Sequence, residues 1–298
     1  MARKFFTTKQ FLARGHTERE LRDGLAKGRW VRGAHGLYFE GAEPLDNYFR
    51  ALASMVSSDG KISSLVAAQH FGLDSIVIPA CPLARRRRVP VSPEPILVNG
   101  IWCTNGLQTM VDIAPLVDDL TYEQILESAL RKELLNIDEL IDLVPSLTKS
   151  RTAGSPRIKR VLALRPSGAP PTESLLETLM VQLARTTPDV PEPQRQVVVH
   201  DQDGKFVARV DLAWPDEDGF CELDGEQHKD QPVYDAVRQT NVAIATGWLC
   251  GRFSWTEVRW NPVPTGRRLA RFIATARSRR SRDATRASKP PTANAKSK

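Results

Sequence analysis

The sequence has few cysteines and no long apolar segment. Its 298 residues include four cysteines, Cys81, Cys103, Cys221 and Cys250, and no two of them form a Cys-x-x-Cys pair. This spacing argues against a structural zinc site and fits a reducing compartment. No apolar run approaches the ~20 residues that span a bilayer, and the first residues lack the apolar stretch of a secretory signal. We therefore expect a cytoplasmic protein with no membrane partner.

Acidic residues are scarce at the C-terminal end. Residues 276–298 contain eight basic side chains and a single acidic one, Asp283, and this excess equals the whole net charge of +7. Such a segment either adds salt-dependent, sequence-independent affinity for nucleic acid or is simply a solvated end. The charge pattern leaves both interpretations open, and we expect residues 276–298 to be a disordered basic tail.

The start of the chain predicts a small DNA-binding module. Residues 8–14 suit a short helix, and Thr17 with Glu20 has the capping-box spacing that begins a second helix. Residues 29–39 have the pattern of a β-hairpin, with Gly33 and Gly36 near its turn. A helix–turn–helix followed by a hairpin is the winged-helix pattern, which we assign to residues 1–42.

Several arginines of this segment are candidate DNA contacts. Residues 1–40 carry nine basic and four acidic side chains, an excess of the sign that a DNA-reading module needs. The alternative is that these charges form an ordinary solvated face. The candidates are Arg19, Arg22, Arg29 and Arg32.

The middle of the chain predicts a mixed α/β domain over residues 43–150. We expect helices over 47–57, 63–71, 107–116, 122–132 and 137–143, and short strands over 76–79 and 95–99. Four consecutive arginines at 85–88 indicate either a solvated loop or an arm that faces phosphate. Residues 151–169 are rich in Ser, Arg, Pro and Gly around a short helix near 158–164, and we predict an interdomain linker there.

Residues 170–275 have the clearest pattern. The predicted elements, in order, are a helix (172–183), strands (196–200, 206–214 and 220–224), a helix (233–246), a strand (248–253) and a closing helix (264–276). The order α-β-β-β-α-β-α describes a mixed sheet flanked by helices, as in the restriction-endonuclease-like core. The length suits two or three domains, and we expect an α+β or α/β multidomain chain.

Three acidic residues are placed to meet on this predicted sheet. Asp211 lies on the second strand, while Glu222 and Asp224 lie on the third at i and i+2, which puts them on one strand face. Converging carboxylates destabilise each other unless they share a cation, and oxygen ligands suit Mg²⁺ or Mn²⁺. The alternative is a charged, solvated sheet edge.

The same residues carry a resemblance to a known family. The matching strings are Arg209-Val-Asp211-Leu-Ala-Trp-Pro215, Glu222-Leu-Asp224-Gly225-Glu-Gln-His228, Gly247-Trp248 and Arg252-Phe253, with the helix start Glu173-Ser-Leu-Leu-Glu177 and the strand Gln196-Val-Val-Val. Over about a hundred residues this part of the chain resembles the endonuclease-like domains related to the very-short-patch mismatch-repair endonuclease, within the PD-(D/E)xK superfamily.

That resemblance implies roles for individual residues. Asp211 and Glu222 would hold the metal, and Glu177 on the first helix would complete its shell. Asp224 takes the place of the usual lysine, and His228 would act as a base or a phosphate ligand. Gln239 stands where an aspartate is common, and this departure weakens the expectation of an active site.

Residues 1–150 carry a second, weaker resemblance. Gly28-Arg-Trp-Val-Arg32 with Gly36-Leu-Tyr-Phe39, Ala67-Ala68 with Gly72-Leu73-Asp74, and Thr109-Met-Val-Asp-Ile-Ala114 are similar to segments of AbiEi-family antitoxins. In such proteins the wing binds DNA, and repression of a toxin–antitoxin operon is the usual proposal. The resemblance therefore implies DNA and a cognate toxin as partners.

Two hypotheses of different classes remain, and a third possibility is that the nuclease-like fold only recognises branched or nicked DNA. The first is a DNA-binding protein whose Mg²⁺- or Mn²⁺-dependent endonuclease-like domain hydrolyses phosphodiester bonds, with Asp211, Glu222, Asp224 and His228 as catalytic residues. The second is an antitoxin or transcriptional repressor in which the nuclease-like domain is degenerate and serves as a scaffold.

Overall fold

The computed structural model of the chain describes residues 4–80, 91, 94–225 and 232–287. The chain divides into two compact units, Met1–Arg165 and Pro166–Lys298, which we call the first and second units. Both combine helices with sheets, so the expected mixed α and β class is confirmed. None of the helices in the described residues has both the length and the apolar character needed to cross a bilayer.

The first unit begins with a three-stranded antiparallel sheet and two short helices. The elements are β1 (Phe5–Thr7), α1 (Thr8–Ala13), α2 (Glu18–Ala26), β2 (Trp30–Ala34) and β3 (Leu37–Glu40), and the sheet order is β1-β3-β2. Thr7 with Gln10 and Thr17 with Glu20 form capping boxes that start α1 and α2. The two helices and the hairpin agree with the sequence prediction, whereas β1 was not predicted.

The rest of the first unit is mainly helical. Its elements are α3 (Asn47–Asp59), α4 (Ser64–His70), β4 (Ile96–Val98), β5 (Ile101–Cys103), α5 (Gly106–Ile113), α6 (Asp119–Arg131), α7 (Ile137–Lys149) and α8 (Ser155–Leu164). Helix α6 lies at the centre of the core, where Tyr122, Ile125 and Leu126 are almost fully buried. The predicted strand over 76–79 is absent from the structure, because Ile76 and Ile78 pack against apolar cores of this unit instead of pairing with a strand.

The predicted linker over 151–169 contains a helix that belongs to the first unit. Ile158 and Val161 of α8 are buried in the same core as α6, and Arg157 binds Asp119 with a nitrogen–oxygen distance of 2.8 Å. Gly154 adopts φ 88° immediately before the helix, a conformation that favours glycine. The Ser, Pro and Gly residues therefore mark a helix boundary, and not a linker across the whole range.

The second unit is a four-stranded sheet with helices on both faces. Its elements are α9 (Leu175–Thr186), β6 (Gln194–His200), β7 (Phe206–Trp214), β8 (Gly219–Asp224), α10 (Pro232–Thr246), β9 (Leu249–Ser254), α11 (Trp255–Trp260) and α12 (Pro262–Ala287). The sheet order is β6-β7-β8-β9, with antiparallel pairing up to β8 and parallel pairing of β9 with β8. The predicted order of elements is found, with the unpredicted α11 added before the closing helix.

Two apolar cores hold this sheet. One contains buried residues of α9 and α12 with Leu212, Trp214 and Phe253 from the strands. The other contains Val242 of α10 packed against strand residues such as Val210 and Phe220. Because helices cover both faces of the sheet, its polar side chains are open to solvent mainly at the ends of the strands.

The predicted disordered tail begins inside a helix. Helix α12 continues to Ala287, Ala276 is buried against the sheet, and Arg277 binds Glu217 through two hydrogen bonds of 2.7 Å. This segment is rich in Arg and Ala, which favour helix, and the acidic turn after β7 supplies counter-charges. Residues 288–298 lie outside the described part of the chain.

Candidate functional site

Two carboxylates meet where β7 and β8 separate. The pairing of these strands runs from Trp214 with Gly219 to Leu212 with Cys221, so the next opposed positions are Asp211 and Glu222. At this point the backbone N–H of Leu223 donates to Asp211 Oδ2 at 3.3 Å. A hairpin register therefore brings together two carboxylates that are eleven positions apart in the sequence.

Glu177 joins this pair from the first turn of α9. The N-cap residue Ser174 accepts a hydrogen bond from the Glu177 N–H at 3.1 Å, as expected of an N-terminal serine. The Glu177 carboxylate accepts from the N–H of Glu173 at 2.9 Å and from Gln196 Nε2 at 2.7 Å. Glu177 is only 4% exposed, so α9 and β6 together hold its side chain in one place.

Burial raises the pKa of both Glu177 and Asp211. For Glu177 the charge of Asp211 raises the pKa further, whereas the N–H of Glu173 opposes the shift. For Asp211 the N–H of Leu223 and then the charge of Arg238 oppose the effect of burial on the pKa. Burial and mutual repulsion disfavour the charged forms of both carboxylates. The pair therefore binds a proton or a cation more readily than two exposed carboxylates would.

Arginines balance the other two carboxylates. Arg238 of α10 forms an ion pair with Glu222, whose side chain is 8% exposed. Arg252 of β9 binds Asp224 through two hydrogen bonds of 3.2 and 2.6 Å. Glu222 and Asp224 do lie on one strand face, as their spacing predicted, but each is held by a different arginine.

These side chains border one acidic cleft of about 550 Å³. The acidic cleft is lined by Glu177, Asp211, Glu222, Asp224, Arg238 and Arg252, among others. The structure thus brings together all the predicted carboxylates of the site. It also supplies two guanidinium groups, and cationic groups of this kind bind phosphate oxygens through charge-assisted hydrogen bonds.

The donor chemistry of the cleft fits a hard divalent cation. Glu177, Asp211 and Glu222 offer only oxygen ligands, which Mg²⁺ and Mn²⁺ prefer. In the described residues, however, no three His, Cys, Asp or Glu side chains are placed to share an ion. Since Arg238 binds Oε2 of Glu222, a cation at this oxygen would compete with the guanidinium.

Other predicted residues lie elsewhere in the chain. His228 lies within residues 226–231, and the consecutive arginines at 85–88 lie within residues 81–90. Both segments are outside the described residues. The four arginines predicted to contact DNA are exposed on the first unit: Arg19, Arg22, Arg29 and Arg32. Arg29 lies over the ring of Trp30 at 4.9 Å from its centroid, and Arg32 contacts His35 Nδ1 at 3.1 Å.

The sequence prediction gave no role to three polar side chains of this region. Gln196 binds Glu177, while Arg238 and Arg252 neutralise Glu222 and Asp224. The signal for Arg238 was present as a basic residue on the helix that follows the acidic strand. For Gln196 the only signal is its place beside Asp211 in the hairpin register, where it adopts φ 52°.

Comparisons of the chain with protein-family models, with curated proteins and with solved structures gave no match.

Proposed function

We propose that the protein is a DNA-binding, metal-dependent endonuclease whose second unit hydrolyses phosphodiester bonds. The observation that carries this proposal is the convergence of Glu177, Asp211 and Glu222 on one cleft, with burial raising the pKa of two of them. Perturbed carboxylates that share a cleft are a common feature of catalytic sites. The α-β-β-β-α-β order of the second unit supports a restriction-endonuclease-like fold.

The residues of the cleft have separable parts in such a reaction. Asp211 and Glu222 would hold the ion, and Glu177, fixed by Ser174 and Gln196, would complete its shell. When bound, Mg²⁺ or Mn²⁺ supplies a Lewis acid for the scissile phosphate and lowers the pKa of a water molecule. Arg238, once released from Glu222, supplies a positive charge that can bind a phosphate oxygen.

Asp224 has a positioning role in this scheme. Its carboxylate receives two hydrogen bonds from Arg252, so it fixes a cationic group at the rim of the cleft where a lysine would be usual. His228 remains a proposed base or phosphate ligand.

The first unit supports the DNA-binding part of the proposal. Helices α1 and α2 are followed by the β2–β3 hairpin, as in a winged helix. The second helix carries Arg19 and Arg22 on its exposed surface, and the hairpin region carries Arg29 and Arg32. These side chains would contact phosphates and the edges of bases.

The test is cleavage of supercoiled plasmid by the purified full chain with Mg²⁺ or Mn²⁺. Asp211→Asn and Glu222→Gln should each lower the cleavage rate by about a hundredfold or more, because each removes an anionic ligand or orienting group. Asp203→Asn is the matched control, since Asp203 lies in an exposed turn away from the cleft. No cleavage by the wild-type chain, or equal cleavage by Asp211→Asn, would refute the enzymatic proposal.

One observation favours a second candidate, an antitoxin or transcriptional repressor with a degenerate nuclease scaffold. Arg238 and Arg252 form ion pairs with Glu222 and Asp224, so the charges of these two carboxylates are already balanced by the chain itself. This candidate predicts salt-sensitive binding to the promoter of its own operon in the presence of EDTA. Such binding would be lost in Arg29→Ala or Arg32→Ala and unchanged in Asp211→Asn, and the cognate toxin would co-purify with the chain.

A further inference from the structure

The arginines of α12 divide into those that anchor the helix and those that do not. Arg268 binds Glu257 at 3.4 Å, Arg277 binds Glu217 at 2.7 Å and Arg280 lies 3.8 Å from Asp218. These pairs fix the helix to α11 and to the turn after β7. Four further arginines are exposed and have no acidic partner within the described residues: Arg267, Arg271, Arg279 and Arg282.

Three of the four share one face of the helix. With about 100° per residue, the positions of Arg267, Arg271 and Arg282 fall within roughly 60° of one another. Leu269, Ile273 and Ala276 point the opposite way and are buried. The three arginines therefore project from the ridge of the helix that is farthest from the core.

Small residues lie between these arginines on the same ridge. Ala274 and Ser278 occupy the positions between Arg271 and Arg282 and are exposed. No long side chain from this ridge separates the guanidinium groups from an approaching surface. At about 1.5 Å per residue the distance along the helix from Arg267 to Arg282 is roughly 22 Å.

A partner for this ridge must be anionic and extended. Single ligands such as nucleotides meet one or two guanidinium groups, whereas three on a rigid helix match a regular row of charges. Duplex DNA has such rows on either side of a major groove that is about 12 Å wide, and a ridge of roughly 22 Å can reach both. Arginine binds phosphate oxygens in bidentate fashion.

We propose that Arg267, Arg271 and Arg282 form a phosphate-binding strip, the arginine strip, by which the second unit holds duplex DNA. This inference rests on the proposed function in one respect, that DNA is the substrate. It assigns the surface of the second unit that binds the duplex. The anchored arginines orient the strip, and the contacts are independent of base sequence.

The experiment is the salt dependence of binding to a labelled 20-base-pair duplex, measured by fluorescence anisotropy of the full chain in EDTA between 50 and 200 mM KCl. Each phosphate contact contributes about 0.9 to the slope of log K against log salt. The triple variant Arg267→Gln/Arg271→Gln/Arg282→Gln should therefore lose about 2 to 3 from this slope. Its affinity near 100 mM KCl should fall by about a hundredfold.

Two variants make the outcome specific. Arg279→Gln removes an exposed arginine of the same helix that lies off the strip and has no acidic partner among the described side chains, and it should leave the slope within about 0.5 of wild type. The triple Arg→Lys variant keeps the charges and should retain most of the slope. All four substituted positions, the control included, are exposed, and equal thermal unfolding midpoints verify that each chain is folded.

Three results would overturn the proposal. The first is an unchanged slope in the triple Gln variant, and the second is an equal loss of slope in Arg279→Gln. The third is a triple Gln variant that loses binding to phosphatidylserine vesicles but keeps its binding to DNA. If only the nuclease proposal fails, no chain will cut plasmid, but the triple Gln variant will still lose salt-dependence slope. Failure of the strip alone would leave wild-type cleavage and an unchanged slope.

Discussion

The ion pair between Arg238 and Glu222 gives the sharpest test of the acidic cleft. The Glu222 side chain is 8% exposed and that of Arg238 is 32% exposed. Substitution Arg238→Met keeps much of the apolar stem but leaves a buried carboxylate next to Asp211 without its guanidinium. Breaking one side of a fully buried pair costs about 3–5 kcal/mol. Because water reaches Arg238 in part, we expect a loss of about 2 kcal/mol in the free energy of unfolding.

This loss is measurable by calorimetry of the full chain. For a unit of this size it lowers the unfolding midpoint of the second unit by roughly 6–10 °C. Arg209→Met is the control, because Arg209 and Glu173 form a pair in which both side chains are 50% exposed. Exposed pairs contribute about 0–1 kcal/mol. An Arg238→Met chain no less stable than Arg209→Met would show that the buried pair contributes no more to stability than the exposed one.

The same variant tests whether a cation can bind in the cleft in competition with Arg238. If Arg238 and the ion compete for Glu222, Mn²⁺ should bind the Arg238→Met chain more tightly than the wild type. A tenfold gain in affinity at saturating Mn²⁺ adds about 1.4 kcal/mol of stability, which appears as a higher unfolding midpoint. Equal stabilisation of the two chains by Mn²⁺ would argue against competition.

Three further predictions concern stability. Burial lowers the pKa of His70 below its ordinary value of 6.5, and Tyr48 Oη lies 2.8 Å from its Nδ1. The unfolded chain thus binds more protons, and urea unfolding should show stability that is complete above pH 6.5 and falls as the pH drops below it. Gly106→Ala should cost about 2–3 kcal/mol, because a Cβ there would meet the Leu134 carbonyl oxygen at 2.0 Å. Asp211→Asn should raise stability by about 1 kcal/mol, since it removes a charge that is unfavourable to bury at the proposed site.

Each of these has a clear contrary outcome. His70→Gln should abolish the pH dependence assigned to this residue, and an unchanged pH profile would contradict the assignment. A Gly106→Ala chain as stable as wild type would show that the Leu134 backbone can move. A less stable Asp211→Asn chain would mean that the hydrogen bond from the Leu223 N–H outweighs the cost of the buried charge.

Local signals in the sequence predicted most of the elements. The Thr17 and Glu20 pair marks the start of α2, and the alternation of β7 and β8 places Asp211 beside Glu222. The start of α11 carries the same kind of signal, because Ser254 and Glu257 form a capping box. Strand β1 could not be predicted in this way, since its three residues pair with a strand that lies 30 to 34 positions away.

Charge partners were harder to predict than elements. Composition alone made 276–298 resemble a disordered tail, because the acidic partner of Arg277 lies 60 positions earlier. The same limit applies to the acidic cleft, where the spacing of Glu222 and Asp224 predicts a shared face but not which arginine reaches each carboxylate. Arg238 and Arg252 arrive on different elements, so tertiary structure alone decides their partners.

The parallel pairing of β9 with β8 bears on how the second unit forms. Short connections join β6, β7 and β8, whereas the connection between β8 and its parallel partner β9 contains the whole of α10. Pairing between distant segments is slower than hairpin formation because a longer loop must close first. During synthesis Glu177, Asp211 and Glu222 leave the ribosome before Arg238 and Arg252. We therefore expect the carboxylates to be assembled first and to attract counter-ions from solution until the arginines of later elements replace them.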